Sequence, residues 1–387
     1  ARVDGRSISA EEIVRGVARV DATAQELETA GAIDRAPTFF EVTTALAFDW
    51  FARARVRAAV VEVGIGGRLD ATNVLDSKVG VVSTVELEHT DLLGDSLGAI
   101  AREKSGILHP GMTGVVGELP DEARAVVDSE AKQRGVRLWH LGGELSVDGR
   151  ALSEEGQRFD VHLPGRSVRG IRLPLHGRFQ PGNTALALGA VHRFGEATGF
   201  DVDERKVRAA LARLVWPGRL ERVGRRPELF YDVAHTPESA RLVAQSLGEL
   251  FPLSDPAENA VVFGSLRGKN LPRILDALAP LARTLVLVPV RSERGTPVGE
   301  LRAQAVGRFP RIVIARSAAE GVRLARAATG SEGVTLVVGS DYLIGELFRD
   351  VRGDPDEPDL SDPGVGPRPP EAATESPPRP AARGRSR

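Results

Sequence analysis

The sequence predicts an α/β protein of two domains, the second built on a mainly parallel sheet. Three observations carry this. At 387 residues the chain exceeds one ordinary domain, and a hydrophobic content of 42% is ample for two packed cores. Short apolar runs alternate with amphipathic stretches of helical length, the pattern of βαβ units. The most informative run, VVEVGIGGRLDATN at 60–73, passes from apolar residues through a carboxylate to a glycine turn and a polar cluster. In an open α/β sheet, ligands gather beyond the carboxyl ends of the strands.

Composition removes several function classes. A net charge of −2 makes no electrostatic case for nucleic acid or an anionic membrane as partner. The chain has no Cys, which excludes disulfides, thiolate catalysis and Cys-ligated zinc. No apolar stretch is long enough to span a bilayer and the start does not read as a signal peptide, so a cytoplasmic protein is expected. Only five of the 51 basic residues are lysines, at 78, 104, 132, 206 and 269. In so Arg-rich a chain, a retained Lys hints at a role that Arg cannot fill.

Taken in order, the chain opens on a short VDGRSIS segment and a helix, with Ser9 as N-cap and Glu12 as its capping-box partner. A second helix is expected over 36–54, where Val42, Leu46, Ala47, Trp50 and Phe51 recur at helical spacing. A buried strand is expected over 58–63, closed by Glu62 and the turn of Gly64, Gly66 and Gly67. The run 79–85 predicts the next strand, followed by the polar cluster Glu86-Leu87-Glu88-His89-Thr90-Asp91. A helix over 96–106, a strand over 113–116 and a helix over 121–134 follow. Alternating, glycine-punctuated segments from 142 to 175 predict β-hairpins. Helices are expected over 183–195 and 204–214, and Pro217-Gly218-Arg219 reads as a hinge. Strands over 228–231, 260–263, 284–288, 311–314 and 335–338 then alternate with helices. Residues 352–387 hold nine of the 25 prolines and predict a disordered tail.

The chemistry gathers at strand ends. Glu62 and His89 should follow neighbouring strands. A carboxylate with an imidazole suits Mg²⁺ or Mn²⁺ better than structural zinc. For His89 alone, a hydrogen-bonded, half-buried imidazole is the plain alternative. Glu62 has a weaker one, because an unpaired carboxylate ending an apolar strand is costly. The glycines of 64–69 lack the third glycine of a dinucleotide fingerprint and the helix that must follow it. No GxxxxGK[ST] sequence occurs, and in Gly264-Ser265-Leu266-Arg267-Gly268-Lys269 the spacing is wrong, with Asn270 in place of the hydroxyl residue.

Six segments together resemble the folylpolyglutamate synthase / dihydrofolate synthase family of the Mur ligase superfamily. They are PTFFEVTTALAF (37–48), VEVGIGGRLDATN (61–73), VELEHTDLLGDSLGAIAREKSGILHPG (85–111), PGRLE (217–221), YDVAHTPESA (231–240) and VVGSDYLIGE (337–346). The resemblance implies a Mur-ligase-type central domain over 1–216, truncated at its N-terminus, and a C-terminal Rossmann-like α/β domain over 217–351. It implies an ATP-dependent ligase that adds L-glutamate to tetrahydrofolate, and could also act on dihydropteroate, through an acyl phosphate. In the family pattern Glu62, His89 and a carbamylated Lys104 would hold Mg²⁺. Carbon dioxide adds to a neutral amine, which Lys can offer and Arg cannot. Without the motif, Lys104 reads as a solvated helix residue. Thr38, Phe39 and Phe40 would line the pterin site, opposite Leu69, Asp70 and Ala71. Asn183, Arg219 and Asp232 would contact ATP, with His235 beside them either as a further nucleotide contact or as a group that supports those contacts. A monomer is expected.

Two departures accompany the resemblance. Thr236 stands where bacterial members have Asn. The family's GTNGKGS-like phosphate loop is absent and is expected upstream of Ala1, so the printed chain should hydrolyse ATP poorly. Two rivals are kept: a non-catalytic folate- or nucleotide-binding remnant, and another Mur-type amino-acid ligase.

Overall fold

In the computed structural model, which describes residues 1–252 and 254–352, the chain forms four sheets. A two-stranded hairpin of β1 (Arg2–Val3) and β2 (Arg6–Ser7) leads into the helices α1 (Ala10–Thr29) and α2 (Phe39–Ala54). These pack closely: a Cβ on Gly16 of α1 would lie 2.0 Å from Leu46 Cδ1 of α2. Arg53 of α2 also pairs with Glu12 of α1 at 2.7 Å. Ser9 Oγ accepts from the Glu12 N–H as expected, but the Glu12 carboxylate goes to Arg15 and Arg53. The complete capping box is at α2, where Thr38 and Glu41 exchange both bonds.

The next layer is a three-stranded parallel sheet of β3 (Val79–Val82), β4 (Thr113–Val116) and β5 (Arg137–His140), in that order. Its connections are α3 (Thr90–Leu93), α4 (Leu97–Ser105) and α5 (Asp121–Arg134). Ile100, Ala101, Val116, Ala123 and Val127 close the core beneath α4 and α5. An antiparallel meander of β6 (Ser146–Ser153), β7 (Gly156–Leu163) and β8 (Arg166–Leu173) follows, with α6 (Gln180–Thr198) against it and α7 (Glu204–Leu211) after it.

The strand expected over 58–63 is not formed. A strand needs a backbone partner. Among the described residues β3 pairs only with β4, and no strand lies on its other edge. The 58–63 backbone is irregular, and Val60 is fully exposed. The expected strand over 79–85 likewise ends at Val82. Glu62 therefore does not sit at a strand end, and only His89 lies in a loop that leaves the sheet.

The C-terminal part holds β9 (Glu221–Gly224), β10 (Glu228–Tyr231), α8 (Pro237–Leu250), β11 (Ala260–Phe263), α9 (Leu271–Leu278) and β12 (Thr284–Leu287). It continues with α10 (Val298–Ala305), β13 (Arg311–Ile314), α11 (Ala318–Ala328), β14 (Val334–Val338) and α12 (Asp341–Arg352). The sheet order is β13-β12-β11-β14-β10-β9, parallel except for β9. Side chains alternate between its faces. Val261, Phe263, Leu285 and Leu287 meet α8, α9 and α10, whereas Ala260, Val262, Val286 and Val288 meet α11 and α12. A strand buried on both faces reads as a continuous apolar run, which is why these strands were legible. The chain leaves β11 for one face and β14 for the other, which opens a crevice at their carboxyl ends.

Among the described residues no helix is long and apolar enough to cross a membrane. The tail expected from 352 onward lies, beyond Arg352, outside the described residues.

Candidate active site

The glycine turn is built against the end of α4. Gly66 has a φ of +71°, and a Cβ on Gly106 would lie 2.3 Å from Arg68 Cα. Arg68 N–H donates to the Glu103 carbonyl at 2.8 Å, and its guanidinium pairs with the Glu103 carboxylate at 3.0 Å. Asn73 ties the turn down: its amide nitrogen donates to the carbonyls of Arg68 and Gly106, and its oxygen meets His109 Nε2 at 2.8 Å. Asp70 spends both oxygens inside the turn. One accepts from the N–H groups of Gly64 and Ile65, the other from the N–H and hydroxyl of Thr72. Asp70 is thus the brace of the turn, and Ala71 opens a short 3₁₀ turn behind it.

The apolar residues expected at this site face solvent. Phe39 is 85% and Leu69 79% exposed. Phe40 is also exposed, at 40%, but lies on the turn, its ring 2.6 Å from where a Gly64 Cβ would sit. Thr38 caps α2. The structure so brings Thr38, Phe39 and Phe40 together at one helix start, with Phe40 beside the Asp70 turn.

Glu62 is exposed and makes no hydrogen bond or ion pair among the described residues. His89 begins α3 in the left-handed region, at a φ of +52°, with Nε2 4.0 Å from Glu88 Oε1. Lys104 lies half-buried in the last turn of α4, its ammonium also without a partner among the described residues. No group of three or more His, Asp or Glu positioned to hold a metal ion occurs among the described residues.

Asp232 follows β10 and is buried. Its two oxygens accept from the N–H groups of Leu220 and Ala234, each at 2.7 Å. It thereby clasps the Pro217-Gly218-Arg219 hinge, in which Gly218 and Leu220 both have positive φ. Burial pushes its carboxyl up to about 6, against the pull of those two donors and of Arg219. The Arg219 side chain is exposed. Asn183 lies exposed in the first turn of α6 and bonds Gln180 within its own helix. No contact joins Asn183 to Arg219, Asp232 or His235 among the described residues.

His235 joins the two halves of the molecule. Its Nδ1 lies 2.9 Å from the Val233 carbonyl and its Nε2 3.2 Å from Glu88 Oε1. Lys269 Nζ donates to the same oxygen at 2.6 Å, and Thr236 Oγ1 donates to Glu86 Oε2 at 2.9 Å. The hydrogen bond from His235, with that from Lys269, holds the Glu88 carboxyl down to about 2 against burial. Glu88 in turn raises the His235 imidazole. Burial raises Glu86. Both His235 nitrogens face acceptors, the Val233 carbonyl and the Glu88 carboxylate, an arrangement that favours the doubly protonated ring. Sequence reasoning had no role for Glu86, Glu88 or Lys269. The signals were present: a polar cluster after one strand, and a rare Lys after another.

Two family models match the chain. The Mur ligase middle domain matches residues 13–191, and the Mur ligase, glutamate ligase domain matches residues 218–341. The chain is 35% identical over 321 residues to the dihydrofolate synthase/folylpolyglutamate synthase of Mycobacterium tuberculosis, covering 79% of this chain and 65% of that one. It thus spans just under two thirds of that relative. The folylpolyglutamate synthase of Lacticaseibacillus casei is 34% identical over 295 residues, covering 76% of this chain and 67% of its own length. Among solved structures, Mycobacterium tuberculosis folylpolyglutamate synthase complexed with ADP superimposes with a TM-score of 0.82 at 30% identity, over 90% of this chain and 80% of that one. Escherichia coli FolC in complex with DHPP and ADP gives 0.77 at 28% identity, over 90% of this chain and 78% of that one.

Proposed function

Because the chain belongs to the folylpolyglutamate synthase/dihydrofolate synthase family of Mur ligases, we propose that it is an ATP-dependent ligase adding L-glutamate to a folate. ATP phosphorylates a carboxylate of tetrahydrofolate or dihydropteroate. The amine of L-glutamate attacks the acyl phosphate, and phosphate leaves. The observation that carries the reading is the convergence at one seam of loops from both sheets, 86–89 from one and 232–236 from the other. The division falls at 216/217, with 1–216 and 217–351 as the two domains.

Each expected residue has a place in this reading. Phe39 and Phe40 offer a flat apolar wall to a pterin, and an 85% exposed Phe39 is spare surface rather than core. Leu69 offers apolar surface beside them, while Asp70 and Ala71 shape the turn. Arg219 would face the anionic end of a nucleotide, His235 supports the seam beside it with both nitrogens spent on Val233 and Glu88, and Asp232 holds the hinge that carries Arg219. Asn183 would contact the nucleotide from α6.

In donor type alone, Glu62, His89 and Lys104 suit Mg²⁺, with no hydrogen bond or ion pair among the described residues drawing the three together. The Glu62 carboxylate is unspent, and the Lys104 amine is free of partners among the described residues, as carbamylation needs. Two ligands and a carbamate are few, which suits an ion that keeps several waters and takes phosphate oxygens. When bound, Mg²⁺ would supply charge neutralisation for phosphoryl transfer.

The rival reading is a non-catalytic folate or nucleotide binder. One assay separates the two. ADP release is measured with Mg²⁺, ATP and L-glutamate, with dihydropteroate and tetrahydrofolate in turn, beside Lys104→Ala. The ligase reading expects folate-dependent release that Lys104→Ala abolishes. ADP release that ignores both folates would overturn it, and pterin binding without turnover would favour the binder.

A further inference from the structure

Besides the contact of Glu154 with Arg222 and Arg225 at 3.2 and 2.9 Å, the seam between the two parts is held at two places along α8. One lies at the C-terminal end of α8, where Glu249 meets Arg150 at 2.7 Å and Arg178 at 3.4 Å, and Ser246 Oγ accepts from the Arg178 N–H at 3.0 Å. The other lies at the N-terminal end of α8, where Thr236, His235 and Lys269 meet Glu86 and Glu88. At 1.5 Å per residue, Thr236 and Glu249 stand about 20 Å apart along the helix.

The two places differ in kind. At the first, the contact is spread over five residues, Gln245, Ser246 and Glu249 of α8 meeting Arg150 and Arg178. At the second, two loops of the C-terminal sheet, one after β10 and one after β11, converge on a single oxygen, Glu88 Oε1. The two places are buried to a similar degree, 30% exposed at Glu88 and 33% at Glu249, so what sets the second apart is this convergence on one oxygen. Glu88 is also the residue before His89, so whatever fixes Glu88 fixes where His89 meets the C-terminal loops.

We propose that Glu88 is a positioning residue for the ligase reaction: its Oε1 fastens the loops carrying His235 and Lys269 beside His89, so that the two halves of the site meet only while this carboxylate is intact. The proposal rests on the ligase reading above. It predicts a split in the kinetics. The expected pterin residues, Thr38, Phe39, Phe40 and Leu69, all lie in the N-terminal part, so loss of Glu88 leaves the folate KM alone. Turnover needs groups from both parts in register, so kcat falls.

The test uses the whole chain with Glu88→Ala, Glu88→Asp and Glu249→Ala. The absence of Cys lets a single donor–acceptor dye pair be placed by Ser129→Cys and Arg273→Cys, one on each side of the seam. Expected are a longer and broader dye distance for Glu88→Ala, a kcat lower by roughly ten- to a hundredfold, and a folate KM within about twofold of the parent. Glu88→Asp should recover part of both losses. Glu249→Ala should leave kcat near the parent. Melting temperatures by circular dichroism identify any variant that fails to fold, and Glu88→Asp then carries the comparison. An unchanged dye distance in folded Glu88→Ala, or an equal loss of kcat in Glu249→Ala, would overturn the proposal. If the parent turns over no folate, the ligase reading fails while the dye distance still decides whether Glu88 fastens the seam.

Discussion

At the scale of single residues, the start of α2 combines a structural device with exposed surface. Thr38 and Glu41 close the capping box, and Arg35 pairs with Glu41 at 2.9 Å. The Arg35 hydrogen bond, followed by those from Thr38, holds the Glu41 carboxyl down to about 2, below its ordinary 4.5. A folded value below the unfolded one stabilises above the unfolded value and loses that contribution as pH falls through the folded one. Protection of the amides at 39–42, measured against their intrinsic exchange rates, should therefore fall between about pH 4.5 and 2, and Glu41→Gln should lose that pH dependence. Thr38→Ala should cost about 1 kcal/mol in chemical denaturation. Phe39 is the converse case. With 85% of it exposed, Phe39→Ala should shift stability by less than about 0.5 kcal/mol, yet weaken titrated pterin binding by up to roughly tenfold.

At the scale of elements, the glycine turn and α4 are one unit. A Cβ on Gly106 would lie 2.3 Å from Arg68 Cα and 2.7 Å from its nitrogen, both backbone atoms that cannot swing aside. Gly106→Ala should cost about 1–3 kcal/mol or more by thermal denaturation, and should loosen the turn that Asp70 braces. This unit was legible in part. The glycines and the polar cluster marked a turn, but nothing local showed that Asp70 would consume all its bonds within it. The five parallel strands of the C-terminal sheet were legible to within a residue, because the central ones are buried on both faces and leave unbroken apolar runs, whereas the half-buried antiparallel edge strand β9 was missed. The same reasoning failed at 58–63, where an equally apolar run has no neighbour to pair with and Val60 stays in solvent. An apolar run specifies what a strand could bury, whereas pairing depends on distant backbone. The meander shows a further limit. Asp148, His162 and Ser167 form a hydrogen-bonded chain across β6, β7 and β8, at 2.9 and 2.8 Å. Their residue types invite a hydrolytic reading. However, they lie on an exposed face, and His162→Ala should cost sheet stability alone.

At the scale of the molecule, what the sequence hid is the seam. Glu86 and Glu88 lie about 150 residues or more from their partners, so no spacing rule could pair them. The expected ATP residues on the C-terminal side were found as a motif, but their join to the hinge was not. Asp232 holds the N–H of Leu220, and the Val233 N–H donates to the Gly218 carbonyl at 2.9 Å. The hinge and the strand end are thus geared together: Arg219 cannot swing on its own, and any rotation of the C-terminal part carries Arg219 and His235 as one lever. If Arg219 contacts the nucleotide as proposed, its contact should be lost together with the His235 seam, and stopped-flow release of a fluorescent ADP analogue should follow one exponential. Asp232→Ala would ungear the two, and release should split into a fast and a slow phase.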